Sequence, residues 1–465
     1  MKILLINTYE LGRQPYSLAH LASFLRSDGF RVHCSDTTVD QVLPVSAADC
    51  NLVAVHVGMH TGARLALRLI PRLRTEYPDA MLCLFGLYAQ VSEERFREMG
   101  VSAFFAGEYE PDIGKLAKAI RSGQHEGVAF SRRSHEKISY QLPDRVDLPV
   151  LEQYARLQIQ GETSRVCGFV EATRGCKHTC LHCPVVPVYQ GRFRVIPRDL
   201  VLADIDQQVA SGAQHISYGD PDFLNGPGHS LAIVRAMHRR HGQLTFDATI
   251  KIEHLLKHAA LLPELRDCGC LFVTTAVESL NETVLDRLQK NHTAGDFVRA
   301  INALRSNDIG ISPTFIPFNP WEGLDDYLTL LSFLAQHDLV HQVAPIQLAI
   351  RLLIPAGSCL LSLPDVRDMV DPYDPDNIGY PWRHRDERVD FLQVQVQEIV
   401  EQDTMAASDR EETFLKIWNL AHAFNGLPAP ALHISKRRQP LIGLSEQWYC
   451  CAEPSEYQIR RMQVI

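Results

Sequence analysis

Three cysteines spaced Cys176-x₃-Cys180-x₂-Cys183 constrain this chain more than any other feature. Gly175 stands before the first and Pro184 after the last, so the thiols are confined to one short loop. Residues 167–173 read as a strand leading into that loop. Three thiolates held so close hold three irons of a cubane iron–sulfur cluster and leave the fourth iron open. The rival reading is zinc or buried free thiols. A zinc site usually needs four ligands, commonly as two pairs, and no matching pair lies nearby.

The remaining bulk properties narrow the class. At 465 residues the chain has room for two or three domains of roughly 150 residues each. Its 46 basic and 55 acidic residues give a net charge of −9, which argues against a nucleic-acid binder. No apolar run reaches the length needed to span a bilayer. The start, Met1-Lys-Ile-Leu-Leu-Ile-Asn7, is too short for a signal peptide and reads as a strand. Twelve cysteines without an export signal point to a reducing compartment, so a cytoplasmic location is expected.

Residues 1–125 alternate strand and helix patterns. Strands are expected at 2–7, 31–35, 52–57, 81–85 and 102–105, and helices at 17–26, 63–76, 92–99 and 111–120. Continuous apolar strands of this kind belong to a doubly wound parallel sheet. Residues 126–165 read as a linker. A second α/β alternation follows over 166–370, with strands at 167–173, 215–219, 244–250, 271–277, 311–317 and 347–354. It predicts a partial barrel of about six β/α units, with chemistry at the carboxyl ends of its strands. Residues 371–465 read as a mostly helical C-terminal extension, with a loop at 371–387 and helices at 388–400 and 411–424.

The Arg174-Gly175 lead-in and the cysteine spacing resemble the radical S-adenosylmethionine (radical SAM) superfamily. The first unit resembles the cobalamin-binding-like domain that precedes many such barrels, on Met1–Asn7, Gly29-Phe-Arg-Val32 and Gly107-Glu-Tyr-Glu110. Two departures stand out. The D-x-H-x-x-G motif is absent. Phe85-Gly86-Leu87-Tyr88 replaces a pattern of paired glycines and a histidine, so Phe85 and Tyr88 would crowd a corrin. A cobalamin site and a layer that only packs against the barrel both stay open.

The resemblance implies a [4Fe-4S] cluster on Cys176, Cys180 and Cys183, S-adenosylmethionine on the open iron, and an electron donor such as flavodoxin or ferredoxin. It implies cofactor contacts at His182 within the loop and at Gly219, Asp220 and Asp222 after the second barrel strand. Lys251 and Glu253 would meet the methionine part, Glu278 and Ser279 the ribose, and Ile316 the adenine. Arg351 lies in the sixth predicted strand.

Near the end stands Trp448-Tyr-Cys450-Cys451-Ala-Glu453-Pro454. Adjacent thiols are compatible with chance, with a strained disulfide switch, or with a soft bidentate site. The tail resembles a radical SAM family named for a CUAEP or CCAEP ending, in which the position of Cys451 can be selenocysteine. That exchange implies chemistry at the atom itself, so Cys450, Cys451 and Glu453 are candidate catalytic residues. The tail is also similar to the Cys-Cys-Glu arrangement of enzymes that join carbon to trivalent arsenic. Here Ala452 separates the pair from Glu453, and Tyr449 precedes it in place of arginine. Three functions follow as expectations. The first transfers an alkyl group, 3-amino-3-carboxypropyl among them, to a thiophilic acceptor such as arsenite. The second is cobalamin-dependent methyl transfer to carbon, and the third is an iron–sulfur and thiol redox sensor.

Overall fold

The computed structural model describes residues 1–40, 50–124, 130–432, 434, 441–446 and 459. Among these, β1 (Lys2–Asn7), β2 (Arg31–Asp36), β3 (Cys50–His56), β4 (Met81–Phe85), β5 (Ala103–Gly107) and β6 (Phe130–Ser134) form the N-terminal sheet. They lie in the order β2-β1-β3-β4-β5-β6, and every pairing is parallel.

A parallel sheet covered on both faces needs apolar side chains on both sides of each strand. β1 shows how the sequence supplies them. Ile3 and Leu5 face one core, with Leu18, Leu21 and Leu25 of helix Tyr16–Ser27 and Ile113 and Leu116 of helix Glu110–Arg121. Leu4 and Ile6 face the other, with Ala66, Leu69 and Leu73 of helix His60–Glu76 and Phe96 of helix Glu93–Glu98. The chain leaves β1 toward β2 and then crosses back to β3 on the opposite side. Ligands of open α/β sheets collect outside the strand ends at such a switch point. Here that place is built by residues 7–10 and 56–59.

The second sheet has five parallel strands: β8 (Arg165–Val170), β11 (His215–Tyr218), β12 (Thr245–Thr249), β13 (Cys270–Glu278) and β14 (Gly310–Phe315). Two antiparallel strands, β7 (Arg156–Ile159) and β15 (Ile442–Leu444), extend it beyond β8. A separate ribbon pairs β9 (Thr173–Gly175) with β10 (Phe193–Val195). Helices between the parallel strands coat the outside, giving a nearly closed, barrel-like α/β layer as expected. The C-terminal helices Glu387–Ala406 and Arg410–Phe424 join that coat. Val389, Leu392 and Val396 of one and Phe414, Ile417 and Trp418 of the other pack into the barrel's own core.

Two expectations change. The sixth barrel strand is reduced to a single parallel bridge, Phe318 to Arg351, because Pro345–Leu348 turns as a 3₁₀ helix where a strand was expected. The stretch read as a linker carries β6 and β7. Residues 130–134 are Phe-Ser-Arg-Arg-Ser, a charged edge strand without the apolar run that marks a central one.

Candidate active site

β9 runs directly into Cys176. Gly175 has φ +73°, and a Cβ there would sit 2.4 Å from the Arg192 carbonyl oxygen. The glycine of the motif is therefore a steric requirement of the β9–β10 ribbon. Asp220, just past β11, accepts from the Ala172 amide at 2.9 Å and the Thr173 hydroxyl at 2.5 Å, fixing the start of the loop. Further on, the Leu181 amide donates to Leu288 O at 3.1 Å. Cys176 and Cys180 are buried and Cys183 is partly exposed. All three line one cavity of about 310 Å³.

Polar groups converge on the thiols. Asn225 Nδ2 donates to Cys176 Sγ at 3.6 Å, and Lys251 Nζ to Cys180 Sγ at 3.5 Å. Burial pushes the Cys176 thiol up from its usual range. Glu278 reaches the same wall because β13 slips register against β14 between Ala276 and Glu278, a bulge that leaves Glu278 at φ +70°. Lys290 Nζ donates to Glu278 Oε1 at 3.1 Å, and His182 Nε2 lies 3.0 Å from the same oxygen. Burial alone would raise the Glu278 carboxyl. The Lys290 charge and His182 outweigh it and hold the group at about 2.

The opposite wall comes from the N-terminal sheet. Tyr9 and Glu10 follow β1, His56 ends β3, and Gly58, Met59, Leu87 and Tyr109 complete it. Phe85 and Tyr88, expected to crowd this space, are buried in the two cores of the N-terminal layer instead. Phe85 packs under the wall, 4.9 Å from Tyr109 and 5.1 Å from His56 between ring centroids. Buried Arg174 joins the two walls. Its Nη1 donates to Glu110 Oε1 at 2.5 Å and lies 3.5 Å from Glu108 Oε2, while Nε donates to Glu171 Oε2 at 3.3 Å. Burial raises Glu171 to about 7 despite Arg174.

Residues 170–334, which hold this loop and the strands that frame it, match the family model described as the radical SAM superfamily. Residues 170–334 form a radical SAM domain.

Similar proteins extend the picture. A tRNA-2-methylthio-N(6)-dimethylallyladenosine synthase of Chlorobium phaeovibrioides is 24% identical over 66% of this chain and 65% of its own. One from Haemophilus influenzae is 26% identical over 57% of this chain and 55% of its own. The chain thus spans between about half and two thirds of the length of these curated relatives. Among solved structures, the cobalamin-dependent radical enzyme OxsB with aqua-cobalamin bound matches 90% of this chain and 73% of its own, at TM-score 0.67 and 14% identity. The radical S-adenosylmethionine methyltransferase TsrM of Kitasatospora setae, with cobalamin and a [4Fe-4S] cluster bound, matches 72% of this chain and 70% of its own, at TM-score 0.57 and 18% identity. At such identities these two show a shared fold.

The radical SAM domain's donor set fits the cluster its family implies. Three thiols lie on one loop, and no other cysteine among the described residues lines the cavity. Lys251, which already donates to Cys180, supplies a cation beside the thiols. Eight residues singled out in the sequence meet at this cavity. Six are Cys176, Cys180, Cys183, His182, Lys251 and Glu278, with Gly219 and Ile316 beside them. Five others do not line it, Asp222 among them, whose Oδ1 accepts from the Leu224 amide at 3.1 Å. Asp220 is spent on the loop, and Ser279 donates to Glu322 at 2.6 Å. Glu253 sits 3.7 Å from His178 Nδ1. Arg351 pairs with Asp390 at 2.7 Å and stacks 3.6 Å over the Trp382 ring. Cys450, Cys451 and Glu453 lie outside the described residues. Sequence reasoning missed Glu10, Arg13, His56, Glu171 and Lys290. Lys290 gave no signal, since it reaches Glu278 only because helix Glu282–Arg287 turns the chain back.

Proposed function

We propose that this chain is a radical SAM transferase that moves a carbon group from S-adenosylmethionine to an acceptor held by Cys450 and Cys451. Cys176, Cys180 and Cys183 would hold the cluster. When bound, the cluster supplies the electron for reductive cleavage of S-adenosylmethionine. The chain's own residues then set place and charge. Lys251 offsets negative charge at Cys180, Glu278 and His182 present fixed polar atoms to the cavity, and the Arg174 network keeps the two walls together.

One observation carries the acceptor assignment: both flanks of the tail are tied to the cavity wall. On one side, Tyr9 Oη donates to Glu446 Oε1 at 2.6 Å. On the other, Ile459 is buried in a cluster with Tyr9, Met59, Ile316 and Ile350, all four of which line the cavity. Four residues of chain reach about 13 Å when extended, so Cys450 is within range of the cavity from Glu446. A soft, thiophilic acceptor such as trivalent arsenic suits two adjacent thiolates. The proposal includes a low-potential electron donor and the reducing cytoplasm.

Cobalamin-dependent methyl transfer is the second reading, favoured by the likeness to OxsB and TsrM over most of the chain. His56, Met59, Leu87 and Tyr109 form the N-terminal wall that would face a corrin. No step is assigned to a corrin. Corrin absorption in the purified protein would turn the assignment to that class. The acceptor claim is tested by arsenite binding to anaerobic, reduced protein. Wild type should bind stoichiometrically and the Cys450→Ala/Cys451→Ala variant should not. Equal binding by both would remove the tail from the acceptor site.

A further inference from the structure

Beside the cysteine loop lies a group of side chains that the proposed reaction does not use. His178 sits between Cys176 and Cys180, Asp222 follows β11, and His254 is on helix Ile252–Lys257. Their ligand atoms all lie within 4.8 Å of one another. Asp222 Oδ2 is 3.1 Å from His178 Nε2 and 2.8 Å from His254 Nδ1. Asp222 Oδ1 is occupied as the acceptor for the Leu224 amide at 3.1 Å. Two ligand atoms about 2.1 Å from one ion lie about 3.0–3.4 Å from each other, close to these separations.

Two further observations point to a ligand. His254 is 93% buried by its 7% exposure, yet its Nδ1 makes no aligned hydrogen bond despite lying near the carboxylate. The other ring nitrogen of His178, Nδ1, lies 3.7 Å from Glu253 Oε2, itself a buried oxygen without a hydrogen bond. A ligating histidine ordinarily gives its second nitrogen to a carboxylate, and Glu253 is the carboxylate next to His178 Nδ1.

We propose that His178 Nε2, Asp222 Oδ2 and His254 Nδ1 hold a divalent cation of the zinc class, distinct from the iron–sulfur site. Two imidazoles and one carboxylate select a borderline first-row ion over magnesium or calcium. Three protein ligands leave a position for water or a donor atom of the substrate, and His178 lines the cavity. The ion ties the cysteine loop to the ends of β11 and β12, so it also positions that loop.

The test uses full-length protein with its cluster reconstituted anaerobically, freed of loose metal and titrated with Co²⁺. Wild type should take one cobalt per chain beyond its iron, with visible d–d bands that added Zn²⁺ removes. The same cobalt should bind the Cys176→Ala/Cys180→Ala/Cys183→Ala variant, so failure here and failure of the radical SAM assignment read out separately. His254→Ala should lose stoichiometric binding, and Glu253→Gln should weaken it about 10- to 100-fold. His254→Cys guards against a variant that misfolds, because it should keep the ion and add a thiolate charge-transfer band. No stoichiometric cobalt on wild type, or equal affinity in wild type and a folded His254→Ala, would overturn the site.

Discussion

Glu278 and Lys290 form a buried ion pair to which His182, its imidazole pushed down by burial, adds a polar contact. Removing a single member is costly, because the charge left behind stays out of water. Glu278→Gln should therefore destabilise the fold by about 3–5 kcal/mol, measured by denaturant unfolding. The pair also sets an acid limit. The Glu278 carboxyl falls from an ordinary 4.5 to about 2 in the fold, so its contribution is complete above about pH 4.5 and is lost as pH drops through 2. The variant's deficit should accordingly shrink over that window. Lys251 acts on a different quantity. A cation donating to a cluster thiolate favours the reduced, more negative cluster. In reconstituted protein, Lys251→Met should shift the midpoint potential to more negative values in an EPR-monitored titration, with iron content unchanged. An unmoved potential would assign Lys251 to S-adenosylmethionine alone.

At the scale of elements, one buried arginine ties the two layers together at the cavity. Arg174 enters from β9 and meets Glu110, Glu108 and Glu171, with Tyr16, Tyr109 and Tyr140 around its guanidinium. Arg174→Met would leave three carboxylates buried without their cation. A loss of about 3–5 kcal/mol is expected, with limited proteolysis accelerating between the layers. Unchanged proteolysis would show that apolar packing alone joins them. The strands of both layers were legible because parallel strands buried on two faces are continuous apolar runs, as Ile3 to Ile6 illustrates. The edges were not. β6 is charged, β15 has three residues, and the sixth barrel position is one bridge. Each is set by what it pairs with, and a distant partner leaves no mark on a short segment.

Across the whole molecule, the cavity lies where the carboxyl ends of two parallel sheets face each other. The cysteine loop was legible from spacing, and Glu278 and Lys251 from their places at strand ends. The opposing wall was not, because Glu10 and His56 acquire their role only when the N-terminal switch point is set against the barrel. Arg351 was misplaced with the strand that carries it. The account's central claim is that the cysteine loop supports reductive cleavage of S-adenosylmethionine. The most direct measurement incubates anaerobic, reconstituted protein with a strong reductant and S-adenosylmethionine, and follows 5′-deoxyadenosine and 5′-methylthioadenosine by mass spectrometry. Wild type should release one of them in a reductant-dependent manner, the second marking aminocarboxypropyl transfer, and the Cys176→Ala/Cys180→Ala/Cys183→Ala variant neither. Equal release by wild type and variant, or none from wild type carrying a full cluster, would contradict it.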